Sequence, residues 1–353
     1  MTILGIESSC DETAAAVVVD GKRLLSNAVA SSMDIHMQYG GVVPEIAARS
    51  HIESITPVIQ QALDDAQVGW SGIDGIAVTY GAGLGGSLLI GVLAARTLAI
   101  IKSKPLYAIN HVEGHVYANF LTGTALPGYV LPNEQPQFPM LALIVSGGHS
   151  QLALFRNHFD YTLLGQTQDD AIGEAFDKVA KILGLPYPGG PSIGRKAMQG
   201  NPQAFELPKA RMKEKYDFSF SGLKTAVLRL AQEQVGKDYI LPSSALPGLL
   251  NEAQKANIAA SFQRTAIETV VDKTVLAFAE FHPKSVVIAG GVAASPELRR
   301  QLGQRLPIPL AYTDPKLCTD NGAMIAALGC FRATYNQPAA DPYTLEIAPN
   351  VSM

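Results

Sequence analysis

One pattern, written twice in the chain, constrains its fold more than any other feature. An apolar run, Ile3-Leu4-Gly5-Ile6, meets the small polar stretch Glu7-Ser8-Ser9-Cys10-Asp11-Glu12-Thr13 and then a second apolar run, Ala14 to Val19. This is the signature of a β-hairpin, here with a turn rich in hydroxyls and acids, followed by the tight turn Asp20-Gly21-Lys22. The pattern begins again at Met140, with Leu141 to Val145, the turn Ser146-Gly147-Gly148-His149-Ser150, and Gln151 to Phe155. Later in each half come a buried strand, a glycine loop and a helix. They are Asp74 to Thr79 with Gly81 to Ser87, and Ser285 to Ala289 with Gly290 to Ser295. The repetition predicts an α/β chain of two like halves with a cleft between them. The stretch 121–138, with Gly123, Pro127, Gly128, Pro132 and Pro136, is the candidate boundary.

Composition fits that reading. A chain of 353 residues is long enough for two domains, and 47% hydrophobic with 16% charged residues implies a well-cored globular protein. Three cysteines, Cys10, Cys318 and Cys330, argue against a disulfide framework and fit a reducing cytosol. The chain opens directly into a strand-like run rather than a leader. The longest apolar segment, Leu88 to Ile101, contains Arg96 and falls short of the ~20 residues of a membrane span. It is expected to be a helix buried between layers. The net charge of -4 gives no general attraction to nucleic acid. Basic residues bunch at Arg195-Lys196 and at Lys209, Arg211, Lys213 and Lys215, which from composition reads as a solvated face.

The chemistry-bearing stretch is Asn110-His111-Val112-Glu113-Gly114-His115, placed after the apolar run Pro105 to Ile109. Histidines four apart share one helix face and suit a single divalent metal ion, although core or surface histidines show the same spacing. Glu113 points about 200° round the helix from His111, so the H-E-x-x-H protease arrangement fails. A third ligand has to come from far along the chain. Asp320, in the turn Leu317 to Met324, is either that ligand or a helix N-cap. His36 and His51 have no acid or thiol at ligand spacing and read as surface or structural residues.

Other motifs are more open. Gly81-Ala82-Gly83-Leu84-Gly85-Gly86 matches G-x-G-x-x-G, but the next strand ends at Asn110-His111 without the acid that would hold a ribose. Close packing of helix on strand is the better reason for those glycines. Ser146-Gly147-Gly148 offers consecutive backbone N–H groups to a phosphate or carboxylate, or is an ordinary turn. Residues 169 to 183 read as a helix with Asp170, Glu174 and Asp177 on one face, and 252 to 281 as a long amphipathic helix.

Taken in order, several stretches resemble one family, the tRNA N6-adenosine threonylcarbamoyltransferases (TsaD, formerly Gcp or O-sialoglycoprotein endopeptidase). They include Gly5-Ile6-Glu7-Ser8-Ser9-Cys10-Asp11-Glu12-Thr13, Gly40-Gly41-Val42-Val43-Pro44-Glu45, His111 to His115, Val145 to Ser150 and Phe176-Asp177-Lys178. Tyr187 to Pro191, Phe218 to Lys224, Gly290-Gly291-Val292 and Cys318 to Ala323 complete the set. Each is weak alone, and all in order over nearly the whole chain are specific.

The resemblance implies two RNase H-like lobes of the actin/Hsp70/sugar-kinase (ASKHA) superfamily around a central cleft. The lobes would be 1–130 and 131–353, with a helical insertion at about 190–255 and the last helix a candidate to pack back on the first lobe. It implies one divalent metal, iron ahead of zinc, on His111, His115 and Asp320. It implies that Ile144, Val145, Ser146, Gly147, Gly148, Asp177 and Gly190 contact threonylcarbamoyl-adenylate. Ser295 stands where the family has asparagine, so that contact offers one hydroxyl in place of an amide. Asp11 or Glu12 becomes the candidate catalytic acceptor of the amine proton. The basic clusters become candidates for tRNA contact. The expected partners are a paralogous TsaB-type subunit and a TsaE-type ATPase in the cytoplasm, with no membrane. The alternative on the same fold is an ATPase, a kinase or a nucleotide-binding scaffold without transferase activity.

Overall fold

The computed structural model describes residues 1–353 apart from Asp238. It divides into two compact units, Met1–Pro136 with Ala311–Met353, and Gln137–Leu310.

The first stretch opens with the expected hairpin, β1 (Thr2–Glu7) and β2 (Glu12–Val19), then β3 (Arg23–Ser31), the short α1 (Met33–Met37) and α2 (Pro44–Ala66). Proline at the first turn of α2 sits where no intrahelical N–H is needed. β4 (Gly75–Gly81) leads into α3 (Gly85–Lys102), and β5 (Leu106–Asn110) into α4 (His111–Tyr117), before the two-residue β6 (Gly123–Thr124). The second unit holds β7 (Met140–Val145), β8 (Ser150–Asn157), β9 (Asp160–Gln166), α5 (Ile172–Leu183) and α6 (Gly189–Ala197). It continues with α7 (Ser221–Gln234), α8 (Leu246–Leu249), α9 (Glu252–Phe281), β10 (Ser285–Ala289) and α10 (Pro296–Arg305). β11 (Leu310–Ala311) closes the second sheet, and α11 (Gly322–Thr334) belongs to the first unit.

The repeated sequence pattern has its counterpart in the sheets. β1-β2-β3 and β7-β8-β9 are antiparallel meanders. In each case the next long strand, β4 or β10, pairs in parallel with the first strand of the meander. The sheet orders are β5-β4-β1-β2-β3-β6 and β11-β10-β7-β8-β9.

In the first unit, successive side chains of a strand face opposite ways. Leu4, Ile6, Ile76 and Val78 pack with Ile55, Val58 and Ile59 of α2 and Val92 and Ala95 of α3. The alternate residues meet α11 so closely that a Cβ on Gly5 would lie 2.4 Å from the backbone nitrogen of Ala326. With both faces covered, these strands read as continuous apolar runs.

Two expectations are corrected here. The second unit ends at Leu310 rather than 353: α11 covers the first sheet, as the last helix was a candidate to do, and residues after it also belong to that unit and run back along β4 and β5. In that tail Ala340 N–H donates to Leu106 O, Ala348 N–H to Tyr80 O, and the Arg96 guanidinium to the carbonyls of Pro342, Tyr343 and Leu345. Asn110 Nδ2 donates to Ser352 O at 3.0 Å. Second, α3 is not buried between layers. Leu88, Val92, Ala95 and Ala99 face the core, while Leu89, Leu93, Ile100 and Ile101 are exposed, Ile101 at 67%. Among the described residues α3 is also the single helix long and apolar enough to cross a membrane. One face of it is docked on the unit.

The contact between β1 and α11 is testable. Gly5→Ala is expected to cost about 1–3 kcal/mol through overpacking. The control is Gly41→Ala, whose Cβ has nothing within 4 Å. Equal melting temperatures for the two variants would contradict the close approach.

Candidate functional site

Asn110 ends β5 and caps α4, its Oδ1 accepting from the N–H groups of Val112 (2.9 Å) and Glu113 (3.2 Å). The cap starts the helix at His111, so His111 and His115 stand one turn apart, both buried. His111 Nδ1 lies 3.1 Å from Glu7 Oε2 and 3.1 Å from Ser9 Oγ. Glu7 is fully buried at the end of β1 and also accepts from Ser9 N–H and the Thr79 hydroxyl. An ionised carboxylate only accepts, so His111 carries hydrogen on Nδ1 and is left with Nε2 for a ligand.

Asp320 completes the group. Its Oδ1 is 3.5 Å from His111 Nε2 and 3.3 Å from His115 Nε2. Asp320 is not the cap of α11, because Asn321 accepts from Met324 N–H at 3.0 Å and fills that role. Both ring nitrogens of His115 are buried and make no hydrogen bond. Donor atoms about 2.1 Å from a common ion stand roughly 3.0–3.4 Å apart at octahedral or tetrahedral angles. The His–Asp separations of 3.5 and 3.3 Å match that spacing, and with all three donor atoms within 4.8 Å of one another two imidazoles and a carboxylate could hold one metal ion.

The electrostatics agree. Burial opposes a charge on His111, but Asp320 and Glu7 outweigh it and push the imidazole up to about 9 in the metal-free chain. Burial likewise opposes the charge of Glu7, and the adjacent His111 holds its carboxyl below the ordinary range. Glu12, on the acid-bearing turn, is pushed up to about 10 by burial and then by the charges of Asp320 and Asp11. Glu113 turns away from the cluster, as its position on the helix predicts, and lies 3.4 Å from Arg332 of α11. Of the two readings open for His36 and His51 the structural one holds, since both are wholly buried and both serve the turn that carries Asp11 and Glu12.

The second unit gathers the other expected residues. β7 delivers Ile144 and Val145, both buried, to the turn at 146–148. Ser146 N–H donates to His149 O at 2.8 Å, so the expected nest reduces to the N–H groups of Gly147 and Gly148. Both glycines have open space where a Cβ would stand. Gly173 and Gly290 let neighbouring backbone close on this turn, since a Cβ on either would lie 2.5 Å from a carbonyl of Ser146 or Val145. Asp177 accepts from Gly189 N–H at 2.6 Å and so holds the start of α6, where Gly190 follows. Ser295 caps α10, its Oγ taking Leu298 N–H at 3.5 Å.

Two expected groupings are not found. α5 starts at Ile172, so Asp170 lies ahead of the helix that carries Glu174 and Asp177, and pairs with Lys178 and Lys224. Its neighbour Asp169 accepts from Ser219 and Ser221 and caps α7. Half of the residues in the two basic clusters pair with acids on α9. Lys196 pairs with Glu252, Lys209 with Glu268 and Asp272, and Lys215 with Glu280. Arg195, Arg211 and Lys213 stay exposed.

Two mixed sheets built on one plan, with a His-His-Asp cluster where β5 ends, define a metal-ready α/β protein of the ASKHA class. The solved structure of full-length HypF superposes with a TM-score of 0.59 over 96% of this chain and 47% of its own, at 10% identity, which shows the fold. The family model described as tRNA N6-adenosine threonylcarbamoyltransferase matches residues 23–327. Proteins of that name from Thermomicrobium roseum and Symbiobacterium thermophilum are 52% and 50% identical. The first alignment covers 94% of this chain and 92% of the relative, the second 93% and 91%. The chain belongs to the tRNA N6-adenosine threonylcarbamoyltransferase family.

Glu7 was not singled out as a site residue in the sequence. Its signal is an acid closing an apolar strand, beside the hydroxyl-rich turn. Glu7→Gln is expected to weaken metal binding by ~10–100-fold in chelator competition, and unchanged affinity would remove Glu7 from the site. In the metal-free chain His111 holds a proton that an incoming ion displaces. Affinity is therefore expected to climb with pH throughout the range below about 9 and to level off above it. A flat profile would contradict the geometry of Glu7, His111 and Asp320.

Proposed function

We infer that this chain transfers the threonylcarbamoyl group of threonylcarbamoyl-adenylate to N6 of adenosine 37 in tRNAs that read ANN codons, forming t6A37 and releasing AMP. The supporting observation is the His111-His115-Asp320 cluster, its histidines buried and its aspartate half-buried, in a chain that aligns along almost its whole length with transferases of that name. Those relatives disfavour the ATPase, kinase or scaffold alternative.

His111, His115 and Asp320 would hold one divalent ion, iron ahead of zinc, for which two imidazoles and a carboxylate are a suitable donor set. When bound, the ion supplies a Lewis acid that polarises the acyl donor. Ile144 to Gly148, Asp177, Gly190 and Ser295 bind the adenylate, with the N–H groups of Gly147 and Gly148 directed to its phosphate. The lone pair of N6 attacks the carbamoyl carbon, the bond from that carbon to the phosphate oxygen breaks, and AMP leaves. The N6 proton passes to Asp11 or Glu12. Arg195, Arg211 and Lys213 are the cations left for the tRNA backbone.

The same reading includes a paralogous TsaB-type subunit and a TsaE-type ATPase, acting in the cytoplasm. The exposed stripe Leu89, Leu93, Ile100 and Ile101 on α3, with Ile52 of α2 at 60% exposure, is the apolar surface suited to the paralogue.

Reconstitution with tRNA, threonine, bicarbonate, ATP and the partner subunits tests the reading through modified adenosine. His111→Ala is expected to assemble with the partners yet form no product. Absence of product from the parent chain with every partner present would overturn the assignment. Leu93→Asp is expected to weaken association with the paralogue by ~10-fold or more, as for an interface anchor. Co-elution at parental strength would move the interface elsewhere.

A further inference from the structure

The turn between β1 and β2 is held on three consecutive carbonyls. Ser9 O accepts from Leu84 N–H at 2.7 Å. Cys10 O accepts from His51 Nε2 at 3.0 Å and from the Ser87 hydroxyl at 3.1 Å. Asp11 O accepts from Ser32 N–H at 3.1 Å and the Ser32 hydroxyl at 2.8 Å. A peptide plane whose carbonyl is fixed cannot rotate, and the Cα–Cβ directions on either side are fixed with it. The residues so aimed are Cys10, Asp11 and Glu12.

The hydrogens on both histidines follow from the partners. A carbonyl only accepts, so His51 carries hydrogen on Nε2. Its Nδ1, 2.8 Å from Thr13 Oγ1, then accepts from the threonine hydroxyl. His36 Nδ1 accepts from Val43 N–H at 3.3 Å, so its hydrogen also sits on Nε2, which is 3.1 Å from Ser32 Oγ. The bonds run one way, from Val43 N–H to His36, from His36 to Ser32, and from Ser32 to the Asp11 carbonyl. Each ring is wholly buried and links the turn to a second element. His51 joins α2 to β2 through Thr13, and His36 joins α1 to the segment before α2. A neutral ring with a donor on one edge and an acceptor on the other does this without burying a charge.

We propose that His51 and His36 are positioning residues for the transfer reaction, holding the Cys10 and Asp11 carbonyls so that the Asp11 and Glu12 carboxylates keep a fixed place relative to Asp320. The proposal rests on the transferase reading above. The hydrogen bonds of both rings go to the turn and its neighbours rather than to His111, His115 or Asp320. Misplacing a catalytic group by about an ångström costs on the order of 100-fold in rate.

The test compares His51→Leu, which fills the space without a donor, with His51→Gln, whose amide N–H can reach the Cys10 carbonyl. In the reconstituted complex His51→Leu is expected to lower kcat by ~10–100-fold, with KM for tRNA and metal affinity by chelator competition within a few-fold of the parent. His51→Gln is expected to recover most of the loss. Parental kcat in a folded His51→Leu protein overturns the proposal. So does a loss of metal affinity in step with kcat that glutamine does not rescue, which marks a purely structural residue. If His51→Leu does not fold, Thr13→Val keeps the ring and removes only its hydroxyl donor, and is expected to lower kcat in the same direction. Parental kcat there also counts against the brace. In the zinc-loaded parent, nitrogen-15 histidine spectra are expected to show His51 and His36 as neutral rings protonated at Nε2, and protonation at Nδ1 overturns the bonding scheme. An inactive parent with those spectra intact would instead fault the transferase reading.

Discussion

A carboxylate removed entirely from water stays ionised only beside a partner that compensates it, and at Glu7 that partner is His111. The pairing is reciprocal. The acid fixes which imidazole nitrogen carries hydrogen, and the imidazole keeps the acid charged. Much of the first unit is arranged around this contact. β1 must end at residue 7, β5 must end at the Asn110 cap, and the Thr79 hydroxyl of β4 must reach the same carboxylate. The three strands are neighbours in one parallel set, so their carboxyl ends come level, where open α/β sheets carry their chemistry.

The elements legible in the sequence were those whose pattern is local. Both hairpins, α2, α9 and β10 follow from apolar period and turn chemistry. The histidine pair was legible for the same reason, since one helix turn separates its members. Asp320 was assigned through family resemblance, and the structure brings its carboxylate to the pair.

What escaped the sequence depends on contacts across long separations. Glu7 and His111 are 104 residues apart, and nothing near either names the other. The lysines at 196, 209 and 215 lie in two basic clusters in the sequence, yet each finds an acid on α9 more than fifty residues away. Composition counts charges but not their partners. The length of the apolar run Leu88 to Ile101 does not say that Leu89, Leu93 and Ile101 face outward. A helix read from 169 puts Asp170 on one face with Glu174 and Asp177, and the helix begins at Ile172, two residues after Asp170.

The tail that ends on the Asn110 side chain has a consequence for how the protein reports its own state. One amide serves two masters, capping the histidine helix through its oxygen and tethering Ser352 through its nitrogen. Coupling of this kind works in both directions. An ion that stiffens α4 also steadies the chain beyond α11. Occupancy at a buried centre is then readable from outside, as slower amide exchange along a strand of residues that never touches the ion.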